Sequence, residues 1–236
     1  MDNPAEIKEK LAKACRILYH QGWRETYEGH ISYRVPGTDT VYIPAHRHSA
    51  ETMAHLGNMD ADGITVVYLD GRETGLEEPV SEYVIHTEIY KARPDVLSVC
   101  HCHPFFATTF SCTKQELLAI SRHTALFPGG VPHFDAGPQL VHLVEQGQGL
   151  VKALGQRMAA FIRGHGIVTV GKGVEDCLFR VDWLELACRT QFVASQMGEL
   201  NPWTWPEMAA GHFVNEVQGP AYWRYYLQLG QEKGWW

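Results

Sequence analysis

The segment from Leu97 to Pro104 is a short apolar run that ends in two histidines one residue apart, His101 and His103. Side chains of an extended strand alternate between faces, so these two leave the same side while Cys102 leaves the other. Two imidazoles on one face, about 6–7 Å apart by the strand rise, can both reach one divalent cation. Histidines bonded to each other at a strand end would be the plainer account of an isolated pair. A third histidine, His165, stands between Gly164 and Gly166 where two apolar strands meet, and glycines there permit a tight turn and close approach of backbone. Three histidines with coordination positions left open suit Zn, Mn, Fe or Co as a divalent ion. Glu82 is the carboxylate candidate, because it opens a helix whose far end feeds the histidine strand. An acid favoured by the helix dipole is the alternative reading of Glu82.

The elements that must position these residues alternate between the two periodicities. Residues 5–21 carry Ile7, Leu11, Ala14, Cys15 and Leu18 at helical spacing and stop at Gly22. Strands are expected around 28–35, from Thr40 to Pro44 and over 64–69, with 45–56 irregular and polar. Ser81 is a candidate N-cap for a helix reaching Ala92, and Arg93-Pro94-Asp95 breaks it before the histidine strand. A helix can begin at Phe105, another is expected over 139–154 despite Gly147 and Gly149, and the strongest runs from Gly173 to Gln196. Strands flank His165 on both sides. The chain reads as one α/β domain over 1–236, strands and helices alternating around a sheet, with an aromatic-rich C-terminal tail from about residue 200.

Composition narrows the function classes. The chain has 236 residues, 45% of them hydrophobic and 20% charged, and a net charge of −7. An acidic balance argues against a nucleic-acid partner, and no apolar run approaches the ~20 residues needed to cross a bilayer. The N-terminus lacks the basic and apolar regions of a signal peptide. The six cysteines lack the dense spacing of a disulfide scaffold. A cytoplasmic protein with reduced thiols is expected.

Taken together, Gly29-His30-Ile31-Ser32, Pro79-Val80-Ser81-Glu82, Arg93-Pro94-Asp95 ahead of His101-Cys102-His103, and Gly164-His165-Gly166 resemble the class II aldolase/adducin superfamily, typified by fuculose-phosphate aldolase. The resemblance covers about residues 5–195. It implies a three-layer α/β/α sandwich with a mainly antiparallel sheet. It implies one divalent metal ion per subunit on His101, His103 and His165, with Glu82 as catalytic acid/base. It also implies a homo-oligomer, commonly a fourfold-symmetric tetramer with active sites between neighbours. Adducin-type members without the ligands are scaffolds, and the intact histidine set here argues for an enzyme.

The departures from the sugar-phosphate aldolases concern the phosphate pocket. Where those enzymes have Gly-Asn-x-Ser this chain has His30 in place of Asn, and where they have Pro-Ser-Ser-Glu it has Val80 in place of the first Ser. The second phosphate loop reads Pro44-Ala45-His46-Arg47-His48, and Arg47 suits bidentate carboxylate binding. These changes favour a small, planar, anionic substrate. They are similar to the decarboxylase branch, which acts on hydroxylated aromatic carboxylates such as a dihydroxyphthalate. Substrate contacts are expected from His30, Arg47, His123 and Arg224, the last amid Tyr222, Trp223, Tyr225 and Tyr226. The expected reaction is a metal-dependent carbon–carbon lyase step that releases CO2, with Glu82 delivering a proton to the ring; as an acid near neutrality it needs a raised pKa, which a closed cleft would supply. An aldolase or dehydratase acting on a sugar-derived or keto-acid substrate, and a non-catalytic scaffold, are the alternatives.

Overall fold

The structure, a computed structural model, describes residues 3–25, 28–46, 55–70, 72, 77–210 and 218–236. In chain order its elements are α1 (Pro4–His20), β1 (His30–Arg34), β2 (Thr40–Pro44), β3 (Ile64–Tyr68), α2 (Tyr83–Ala92), β4 (Ser98–Cys102), α3 (Phe105–Ser111), β5 (His133–Phe134), α4 (Val144–Leu154), β6 (Ala159–Ile162), β7 (Gly166–Gly171), α5 (Val174–Met197), α6 (Trp205–Ala210) and α7 (Gln218–Lys233). Among the described residues, seven strands form one sheet in the order β3-β2-β1-β4-β7-β6-β5. Every neighbouring pair is antiparallel except β5 with β6. The expected three-layer, mainly antiparallel architecture is what forms.

Alternation along the strands builds two cores. Ile31, Cys100, Cys102, Phe161 and Ile167 face the layer of α1 and α5, burying Leu11, Leu18, Val181 and Leu184. Val41, Val99, Ala160, Val168 and Val170 face α2 and α4, burying Ile85, Ile89, Leu150 and Leu154. The layer of α2 and α4 closes tightly because Gly147 lies on it: a Cβ there would stand 2.8 Å from the Glu88 side chain and 3.0 Å from the Val84 carbonyl oxygen. A helix-interior glycine that weakens α4 by about 1 kcal/mol is thereby explained by a helix crossing.

Two element boundaries differ from the expectation, and both bear on Glu82. Ser81 is not the N-cap of α2; Glu82 takes that position and makes no side-chain cap hydrogen bond. Helix α4 begins at Val144 rather than near 139, because the Gln146 side-chain oxygen accepts from the His142 and Leu143 N–H groups and starts the helix there. The residues before it run past Glu82 instead. The tail, read from sequence without elements, forms α6 and α7, and α7 packs on α5 through Tyr222, Phe179 and Trp183.

Helix α2 and strand β4 are tied by one buried cation. Arg34, at the end of β1, donates to the carbonyl oxygens of Tyr90, Arg93, Pro94 and Val96 at 2.9, 3.3, 2.7 and 2.7 Å. It satisfies the end of α2 and the turn into β4 at once. Arg34→Met is expected to leave buried carbonyls without donors and to lower stability by roughly 3 kcal/mol or more, measured by urea unfolding.

Candidate metal centre

The β1–β4–β7 register sets the site. His30 lies directly opposite His101 across β1 and β4, and His101 opposite Val168 across β4 and β7. His103 follows β4, and His165 closes the turn that leads into β7. That turn is held by Gly164 N–H donating to the Ser111 hydroxyl at 3.1 Å. Gly166 makes room for the approach, since a Cβ there would lie 2.4 Å from the His103 ring and 2.6 Å from the Cys102 carbonyl oxygen.

Three imidazoles converge. His101 Nε2 lies 3.1 Å from His103 Nε2 and 3.3 Å from His165 Nε2. The His101 Nδ1–H donates to the Ile167 carbonyl oxygen at 2.9 Å, which fixes the tautomer and leaves Nε2 with a bare lone pair, the arrangement usual for a metal-ligating histidine. Nitrogens held about 2.0–2.1 Å from a tetrahedral ion stand about 3.3–3.4 Å apart, so the observed spacing fits one divalent cation. Glu82 Oε2 faces the same point, 3.6 Å from His101 Nε2, 3.7 Å from His165 Nε2 and 3.8 Å from His30 Nε2. Among the described residues the donor atoms form two overlapping groups: His101, His103 and His165, and His30, Glu82 and His101.

Burial sets the protonation of the centre. It pushes His101 well below its ordinary range and His103 down to about 4, neighbouring imidazoles adding to both. Both therefore offer lone pairs at neutral pH. Burial raises Glu82, but the facing His30 imidazole, then the His165 imidazole and the Val141 N–H, which donates to Oε1 at 2.8 Å, outweigh it and lower the net value. The expectation of a raised Glu82 pKa is thus overturned: the closed cleft supplies partners for the carboxylate as well as burial, and Glu82 rests ionised.

The other site candidates fall in different places. His30 belongs to the cluster. Arg47 lies outside the described residues. His123 is half-buried with its ring edge-on to Trp183, 5.3 Å between centroids, and Arg224 is exposed on α7. Neither is among the residues lining the cleft beside Glu82, whose walls include Leu56, Met59, Val80 and Leu140 with His46 and His55. What residue-by-residue reading missed is a buried row behind His30. Its Nδ1 lies 2.6 Å from His86 Nε2, His86 Nδ1 lies 2.6 Å from the Ser32 hydroxyl, and Ser32 lies 2.7 Å from the Tyr90 hydroxyl. The signal was present: Ser32 is two residues from His30 on a strand, and Glu82, His86 and Tyr90 recur at four-residue helical spacing.

Fold and cluster together define an α/β protein with a histidine site fitted to a divalent cation on one face of an antiparallel sheet. The chain belongs to the class II aldolase and adducin family, whose model, described as the Class II Aldolase and Adducin N-terminal domain, matches residues 9–192. It is 29% identical over 188 residues to a 3,4-dihydroxyphthalate decarboxylase of Arthrobacter keyseri, covering 75% of this chain and 73% of that one. It is 25% identical over 195 residues to a methylthioribulose-1-phosphate dehydratase of Pseudomonas fluorescens, covering 76% and 89%. An L-fuculose 1-phosphate aldolase structure shares the fold with a TM-score of 0.78 at 20% identity, over 87% of this chain and 95% of that one.

Because the folded-state pKa of His103 lies below the unfolded one, acid costs the folded protein stability. The unfolded chain takes up the proton below about pH 6.5, and the folded chain only near 4. In metal-free protein, the stability of wild type relative to His103→Gln is expected to fall as the pH drops through that window, by roughly 3 kcal/mol in all. Urea unfolding at a series of pH values reads the difference, which stays constant above the window.

Proposed function

We propose that the protein is a divalent-metal-dependent carbon–carbon lyase that decarboxylates a hydroxy-substituted aromatic carboxylate. The observation that carries this reading is the meeting of three imidazole nitrogens and the Glu82 carboxylate at a cleft with an apolar wall suited to a flat ring. The decarboxylase named among the relatives supports the same chemistry. His101, His103 and His165 would hold the ion, which when bound supplies Lewis-acid stabilisation of negative charge on substrate oxygens.

The remaining work falls to the chain itself. Val141 N–H holds Glu82 Oε1, leaving Oε2 toward the histidines as the oxygen that moves a proton. As a resting carboxylate, Glu82 accepts the proton of the substrate hydroxyl on binding. When the bond from ring carbon to carboxylate breaks, CO2 leaves, the electron pair stays with the ring, and Glu82 returns that proton to the carbon. The ring oxygen regains its proton from water. Arg47, and Arg224 reaching a neighbour's cleft in a cytoplasmic homotetramer, would pair with a second carboxylate.

A second reading, an aldolase or dehydratase for a sugar-derived substrate, is favoured by the dehydratase among the relatives. A panel of hydroxy-aromatic carboxylates and sugar phosphates, assayed with Mn, Zn, Fe or Co, separates the two. CO2 release that a chelator abolishes and metal restores is expected; an aldehyde or a dehydrated sugar would favour the second reading. Protein that takes up no divalent metal would exclude both and leave a scaffold. Glu82→Gln should keep full metal content while kcat falls by roughly 10²–10⁴-fold; unchanged turnover would remove Glu82 from the reaction.

A further inference from the structure

The donor set leaves open whether His30 is a metal ligand, since it falls in one of the two overlapping groups. We propose that Tyr90, Ser32 and His86 form a one-way hydrogen-bond chain that keeps a proton on His30 Nε2, so that His30 is an N–H donor to a substrate oxygen and not a ligand. The inference rests on the lyase reading only for the identity of that oxygen.

The direction of the chain follows from its two ends. A row of hydroxyls and singly protonated imidazoles can donate toward the site or away from it. Run away from the site, it ends with the Tyr90 hydroxyl donating to the Leu97 carbonyl oxygen at 3.4 Å, a long contact to an acceptor that already takes the Arg34 backbone N–H at 2.8 Å. That direction also leaves a bare nitrogen lone pair on His30 facing the Glu82 carboxylate at 3.8 Å, an unfavourable pairing. Run toward the site, the phenol, the strongest O–H donor of the row, donates to Ser32 at 2.7 Å. Ser32 then donates to His86 Nδ1, and His86 Nε2–H donates to His30 Nδ1, both at 2.6 Å. The chain ends with His30 Nε2–H directed at the carboxylate side of the cleft. Burial holds His86 far below its ordinary pKa, which keeps a single proton on that ring, as a one-way chain requires.

Among the described residues His30 Nε2 is buried and has no hydrogen-bond partner, Glu82 Oε2 standing 3.8 Å away and out of hydrogen-bond reach, while His30 lines the cleft with Glu82. A buried donor without an acceptor is costly, and the group that satisfies it is an oxygen lone pair brought by a ligand: a carboxylate or phenolate oxygen under the lyase reading. A protonated nitrogen has no lone pair for a metal, so ligation is confined to His101, His103 and His165, with Glu82 adjacent. Ser32, His86 and Tyr90 are positioning residues that act through His30.

Long-range 1H–15N correlation on labelled protein, metal-free and zinc-loaded, reads each imidazole nitrogen directly; His30→Gln assigns the His30 signals. The expected pattern is His30 with Nε2 protonated and Nδ1 unprotonated in both states, while zinc shifts only the nitrogens of His101, His103 and His165. A protonated Nδ1, a bare Nε2, or a zinc-induced shift at His30 Nε2 would overturn the proposal, and these outcomes need no substrate and no variant in the chain. Ser32→Ala should mix the His30 tautomers and Ser32→Thr restore the single form, with zinc content unchanged in both; an unmixed His30 in Ser32→Ala would show that the chain does not set it. Salicylate, as a hydroxy-aromatic carboxylate probe, should move the His30 Nε2–H proton downfield. Salicylate that shifts other cleft signals and leaves His30 unmoved would overturn the donor role. If it shifts none, the aromatic-substrate reading fails, while the tautomer result still decides the chain.

Discussion

The structure depends on the antiparallel register of β1, β4 and β7. With His30 opposite His101 and His101 opposite Val168, the two histidines project together toward α2. A slip of one residue would exchange the faces: His101 would enter the core occupied by Cys100 and Cys102 against α1 and α5, and no cluster would form. Several restraints act on this register. Arg34 holds the carbonyls before β4, and the Ser98 hydroxyl donates to the Ser32 carbonyl oxygen at 2.7 Å. The two large apolar cores would both be lost by a shift.

A second constraint is electrostatic. Four imidazoles and one carboxylate crowd a buried point, which is tolerable because burial holds His101 and His103 unprotonated and because Glu82 has an N–H donor as well as imidazole neighbours. A charge taken out of water without such partners would be neutralised by a pKa shift. The donor comes from Val141, on the segment that stays out of α4. One short stretch of irregular backbone therefore adds to what the His30 and His165 imidazoles do in holding Glu82 ionised.

Close approach is the third element. Gly166 lets the His165 turn lie against His103, and Gly147 lets α4 lie against α2. A side chain at either position would push apart the segments that bring His101 and His165 within 4 Å of Glu82.

Much of this was legible in the sequence. The His-x-His alternation, the glycine-flanked His165 and the acid opening a helix are local patterns, and the family motifs joined them into one site with its sandwich fold. The residues at these positions determine their own faces, because strand and helix periods are properties of a short segment. What only the tertiary structure decided lies between segments. It placed Glu82 at the N-cap of α2 and brought the His30 and His165 imidazoles and the Val141 N–H to its carboxylate, so that an acid expected to be held protonated by burial is ionised instead. It also joined Ser32 from a strand to His86 and Tyr90 from a helix more than fifty residues away. Hydrogen-bond partners and burial depend on which distant segments meet, and no local spacing carries that information.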